Sequence, residues 1–139
     1  MDVLQIPFNS FIGLKKADNS DYIFMLEPDN KYFNHLSTIH ASALFALAEA
    51  SSGEFLVNQF SGYSLNVIPV VRKVDIKFSK PTSEKVFSKA GFADSCIADI
   101  VNELKSKGRV LLKVKVDIFS ESSEKILFST FDWFLTENK

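Results

Sequence analysis

In the stretch HASALFALAEASSG, from His40 to Gly53, every residue between Ala41 and Ala50 is small or apolar except Ser42 and Glu49. An ionised carboxylate in apolar surroundings is costly unless something pairs with it or uses it. The same surroundings raise a carboxyl's pKa, which makes it a better base once ionised. The chemistry on offer is therefore proton transfer at Glu49, with the polar pair Ser51 and Ser52 close enough in sequence to help place water. The alternative is a structural carboxylate, paired across an interface between two copies of the chain or emerging near the end of its helix. His40 divides in the same way, between a site residue and a hydrogen-bonded residue at the helix start.

Other chemistries find little support. Cys96 is the single cysteine, so an intramolecular disulfide is excluded; with no cysteine partner and no paired base it reads as a small buried apolar residue. The two histidines lack a metal-ligand spacing, and neither a metal nor another cofactor is expected. A formal net charge of −1 gives no general attraction to nucleic acid or to anionic membranes. No apolar run is long enough to span a bilayer, and MDVLQIPFNS lacks a charged-then-apolar signal pattern. The expectation is a soluble cytoplasmic protein.

These residues need elements to hold them. With 139 residues, 46% of them hydrophobic, and no repeat or linker, residues 1–139 are expected to form one domain. Its fourteen phenylalanines make a core, interface or ligand pocket aromatic-rich. Pro7 begins a short helix around Phe8 to Lys15, and Tyr22 to Leu26 reads as a strand. Ala, Leu and Phe from residue 41 onward predict a long helix buried on most sides, capped by Ser37 or Thr38 and ending near Gly53 or running towards Gln59. In VVRKVDIKF, Val70, Val74, Ile76 and Phe78 alternate with charged residues and predict a strand. Val86 to Ala93 predicts another strand. Ile97, Ile100, Val101 and Leu104 then predict an amphipathic helix stopped by Gly108. RVLLKVKVDIFS places Val110, Leu112, Val114, Val116 and Ile118 on one strand face, and KILFSTFDWFLTE is apolar on both faces over part of its length, as a central or interface strand would be. The fold class is α+β: a curved antiparallel sheet around one long central helix, with an extra amphipathic helix between later strands.

The segment NHLSTIHASALFALAEASSG, Asn34 to Gly53, resembles the active-site segment of hotdog-fold acyl-CoA thioesterases of the phenylacetyl-CoA thioesterase-like group. That group shows Asn, a few residues, His-Gly-Gly, then an apolar Leu/Phe/Ala stretch ending in Asp or Glu. Asn34, His40, Leu44, Phe45, Leu47, Ala48 and Glu49 fall in register without a gap. VRKVDIKFSKPTSEKVFSKA is also similar to the family's strand, Pro-containing turn and second strand, so the likeness covers the chain from about Tyr22 onward.

The resemblance implies hydrolysis of an acyl-CoA or acyl-carrier thioester, with coenzyme A present only as part of the substrate. Glu49 would be general base on a water or a nucleophile through an anhydride. Asn34 would orient the water or the carboxylate, and His40 would hold the helix start or contact the thioester. Backbone N–H groups at Ala41 and Ser42 would polarise the carbonyl. Ala41-Ser42 stand where Gly-Gly is usual, and each Cβ narrows the substrate's approach. Ser52 is a further candidate at the substrate. Nine residues from His40 to Glu49 are about 13 Å and roughly half a turn; this spacing and the resemblance together predict sites composed from two chains, in a homodimer or a dimer of dimers. A hotdog protein that binds an acyl group or CoA without turnover is the alternative, and a hotdog dehydratase or hydratase ranks third, because its Pro-Gly helix start is missing.

Overall fold

The computed structural model describes residues 1–138. Period-two alternation builds the sheet. Strand β5 (Arg109–Ser120) buries Val110, Leu112, Val114, Val116 and Ile118, the face its alternation predicts. A turn returns the chain as β6 (Lys125–Glu137), which pairs on one side with β5 and on the other with β3 (Val67–Phe78). With β4 (Val86–Phe92), β2 (Phe24–Leu26) and the two-residue β1 (Lys15–Lys16), the order is β1-β2-β4-β5-β6-β3, antiparallel throughout. The short β1 adds a sixth strand that no alternation announces.

The apolar set expected on β3 needs two corrections: Phe78, at the strand's end, is 46% exposed, and the inward face changes at Val70. Val70 is 51% exposed, and Val71 packs against the core instead. The pairing with β6 slips between Val71 and Lys73, so Val71 opposes Trp133 while Lys73 opposes Asp132. This bulge inserts Arg72 and lets Val71, Val74 and Ile76 all face inward.

Helix α2 (Ala41–Phe60) is about 30 Å long and packs against β2, β4, β5 and β6. Its cap is neither Ser37 nor Thr38. His40 holds the position, its Nδ1 accepting the Ser42 N–H at 2.9 Å. Ser37 and Thr38 belong to a tight loop around Asn34, with Ser37 at φ 60°. Gly53 does not end the helix, since its neighbours' i to i−4 bonds carry on to Phe60. A Cβ there would meet the Trp133 ring at 3.8 Å, an ordinary contact. Gly53→Ala is thus expected to stabilise the protein by about 0.5–1 kcal/mol, read as a higher denaturant midpoint at unchanged slope.

Helix α3 (Ile97–Lys107) buries Ile100, Val101 and Leu104 beside β5 and β6 and ends at Gly108, φ 73°. Cys96 is its N-cap residue and is exposed, not buried as expected, because it precedes the face that packs.

The N-terminal segment folds back onto α2. A 3-10 turn (Val3–Gln5) leads into α1 (Pro7–Ile12), shorter than predicted because Gly13 turns left-handed at φ 85° and its N–H bonds Asn9 and Ser10 carbonyls. A side chain at Gly13 would come within 2.9 Å of the Tyr32 hydroxyl, which itself donates to the Ile12 carbonyl.

Candidate active site

A groove runs between α2 and edge strand β3, with the N-terminal segment as its outer wall. At the start of α2 it opens as a cavity of about 480 Å³ between Ala41, Ser42, Phe45 and Glu49 on the helix and Ile76 and Phe78 on β3. Further along, a second cavity of about 620 Å³ has mostly apolar walls, among them Val3, Ile6, Val57, Val71 and Trp133. Phe45, Glu49 and Asn9 line both. Glu49 therefore stands where a space leading to the helix N-terminus meets a space fit for an apolar group.

The Glu49 side chain is half-buried, and burial holds its carboxyl above the usual carboxylate range; no neighbouring charge or hydrogen bond contributes. This answers the cost of an apolar site with a shifted proton affinity instead of a partner. Ser42, Phe45, Ala46 and Glu49 follow i, i+3, i+4, i+7 spacing and share one helix face. The half-turn offset that separates His40 from Glu49 does not apply to Ser42, which lies about 10 Å from Glu49 along the same stripe. Helical side chains lean towards the N-terminus, so Glu49 leans towards Ser42. The spacing argument for a two-chain site thus holds for His40 and not for Ala41-Ser42, which meet Glu49's cavity within one chain.

At the helix start the donors are fewer than the sequence suggests. His40 Nδ1 occupies the Ser42 N–H, while Ala43 and Leu44 N–H both bond the His40 carbonyl. The Ala41 N–H and the Ser42 hydroxyl have no hydrogen-bond partner among the described residues. Because Nδ1 accepts, a neutral His40 carries its proton on Nε2.

Asn34 and Ser52 lie elsewhere. Asn34 Oδ1 accepts the Leu36 and Thr38 N–H groups at 2.9 and 3.2 Å, closing the loop before α2. It is not among the residues lining the two cavities. Ser52 is fully buried on the sheet side: its hydroxyl donates to the Glu49 carbonyl at 2.7 Å and accepts the Trp133 indole N–H at 3.1 Å. Ser51 Oγ is likewise spent on the Leu47 carbonyl and Ser88. Both serines fasten α2 to the sheet instead of placing water. The residue that sequence reasoning passed over is Asn9, a buried asparagine in an otherwise apolar-flanked FNSF. Its polarity inside a short helix was the only available signal. Among the described residues no group of three or more His, Cys, Asp or Glu side chains is placed to hold a metal ion, and no helix is long and apolar enough to cross a membrane.

A curved six-stranded antiparallel sheet around one central helix, with its groove along that helix, is the α+β hotdog fold. Residues 3–131 match the family described as "Putative thioesterase (yiiD_Cterm)", and the chain belongs to that family. Among solved structures, the fold is shared with a probable thioesterase of unknown function from Pseudomonas aeruginosa, 20% identical, covering 98% of this chain and 91% of that one at a TM-score of 0.79. It is shared too with a protein of unknown function from Chlorobaculum tepidum, 13% identical, covering 96% and 88% at 0.83. A hypothetical thioesterase from Streptococcus pneumoniae, solved with coenzyme A, is 19% identical over 91% and 86% at 0.64. Comparison with curated proteins gives no match.

Proposed function

We propose that the protein hydrolyses an acyl-CoA or acyl-carrier thioester, with Glu49 as general base. The observation that carries this is the unpaired carboxylate of Glu49 at the junction of the two cavities. Membership of a thioesterase family supports it, as does the coenzyme A held by the Streptococcus pneumoniae protein. The thioester carbonyl lies between Glu49 and the helix start, its oxygen towards the Ala41 N–H and the Ser42 hydroxyl. The acyl group extends into the apolar cavity and the carrier arm leaves past Ala41. From Glu49 to Val57 is about 12 Å of helix, enough for roughly nine carbon–carbon bonds at about 1.5 Å and tetrahedral angles. A medium-length or aromatic acyl group suits that length.

We also infer a homodimer through β3. This twelve-residue strand pairs only with β6, and its Ile68, Val70 and Phe78 are about half exposed. An open edge of that length, with half-exposed apolar residues near both of its ends, invites a second copy. Glu49 and the helix start remain within one chain in such a dimer, and the partner closes the groove.

An acyl-CoA panel from two to sixteen carbons tests the hydrolysis, with free thiol as readout and light scattering for mass. Turnover peaking at intermediate length, from a dimer whose Val70→Lys variant is monomeric, is the expected result. One observation favours non-catalytic binding: the Ser42 N–H, a donor in the usual arrangement, is taken by His40. Tight acyl-CoA binding without thiol release would establish that second reading.

A further inference from the structure

Hydrolysis at Glu49 needs a water held with its lone pair towards the thioester carbon, and a single carboxylate fixes only one of that water's hydrogens. Asn34, the asparagine expected to orient the water or the carboxylate, has its carbonyl oxygen committed to two loop N–H groups. Asn9 is differently placed. It is 6% exposed, and it lines both cavities together with Glu49. Its Nδ2 donates to the Val3 carbonyl at 3.0 Å, which fixes the amide's rotation. Its Oδ1 has no partner among the described residues, and the side chain that carries it lines both cavities. An amide oxygen with no protein partner in a cavity wall is satisfied by water or a ligand.

We propose that Asn9 is a catalytic residue of the site, its Oδ1 accepting one hydrogen of the attacking water while Glu49 takes the other. The assignment rests on the hydrolase reading above. The water oxygen bonds to the acyl carbon as its proton passes to Glu49, giving a tetrahedral oxyanion facing the Ala41 N–H and Ser42 hydroxyl. Collapse breaks the carbon–sulfur bond; the departing thiolate takes the proton back from Glu49, leaving a carboxylic acid and a thiol. Asn9 exchanges no proton. The N-terminal segment thereby completes the active site.

The test compares wild type, Asn9→Ala, Asn9→Asp, Glu49→Gln and the Asn9→Ala/Glu49→Gln double variant on the best acyl-CoA. Asn9→Ala is expected to lower kcat by about 10- to 100-fold with KM within about two-fold. In the Glu49→Gln background the same change costs nothing further, because the two groups act on one water. Asn9→Asp keeps the side chain's size, gives up the Nδ2 donor to the Val3 carbonyl and puts a second carboxylate into the cavities that Glu49 lines, so the acid limb of its kcat/KM profile moves to higher pH. Multiplying losses in the double variant, or an unmoved acid limb in Asn9→Asp, overturns the assignment and reduces Asn9 to a tether for Val3. If wild type releases no thiol while Glu49→Gln still binds acyl-CoA, the hydrolase reading itself fails, a result distinct from either of those.

Discussion

Glu49→Gln is expected to lower kcat by about 10²- to 10⁴-fold, the range lost with a general base, while raising the melting temperature. Both effects come from one observation, a half-buried carboxylate with no partner, held above the usual carboxylate range by burial. The amide cannot take a proton from water, so turnover falls while the shape of both cavities persists. Stability moves the other way for a reason of linkage. A carboxyl whose folded pKa lies above its unfolded value favours the protonated folded state. Its contribution is fully present below the unfolded pKa and is lost as pH rises through the folded one. Above its raised pKa the ionised side chain is therefore a burden that glutamine removes, and the variant's advantage in melting temperature grows as pH rises from the ordinary carboxylate range through that pKa. On the proposed function the same proton governs rate: wild-type kcat/KM is expected to fall as pH drops through the raised pKa and to be flat above it. A Glu49→Gln enzyme with wild-type kcat, or one less stable than wild type at pH 7, contradicts the reading.

Trp133→Ala is expected to cost about 3–5 kcal/mol, a large share of the 5–15 kcal/mol typical of a domain. Trp133 is nearly buried, opposes Val71 across the bulge in β3 and lies against Gly53. Its indole N–H also bonds Ser52, whose hydroxyl in turn bonds the backbone carbonyl of Glu49. The ring thus holds the turn of α2 that presents the carboxylate. Trp133→Phe separates the contributions: packing is largely kept, while the lost hydrogen bond costs about 1 kcal/mol. Urea unfolding followed by circular dichroism reads both. An alanine variant within 1 kcal/mol of wild type would show that the cavity wall collapses around the loss.

Patterns confined to one element were legible. The run of Ala and Leu announced α2, and the alternation from Val110 to Ile118 announced the buried face of β5, because helix and strand periods are local. Glu49 stood out for the same reason, as one charge in an apolar helix. What depended on distant neighbours was not legible. The bulge at Arg72 exists because Val71 and Lys73 must meet Trp133 and Asp132 some sixty residues later. Ser52 looked like a site residue because its partner, Trp133, lies 81 positions away. His40 took the cap from Ser37 and Thr38 because Asn34 binds Thr38 and turns Ser37 into the left-handed region. Asn9 gained its place only when Gly13 and Tyr32 folded the N-terminal segment against α2.

Trp133 is the chain's single tryptophan, and it forms part of the apolar cavity wall. Its emission is therefore a built-in optical gauge of what fills that space. On the proposed function, an acyl group entering the cavity is expected to change the surroundings of the indole and shift its emission. Free coenzyme A, which has no acyl group to insert, is then expected to leave the spectrum unchanged. A titration of unlabelled protein can thereby report occupancy in any variant that keeps the ring, including those too slow to assay by turnover.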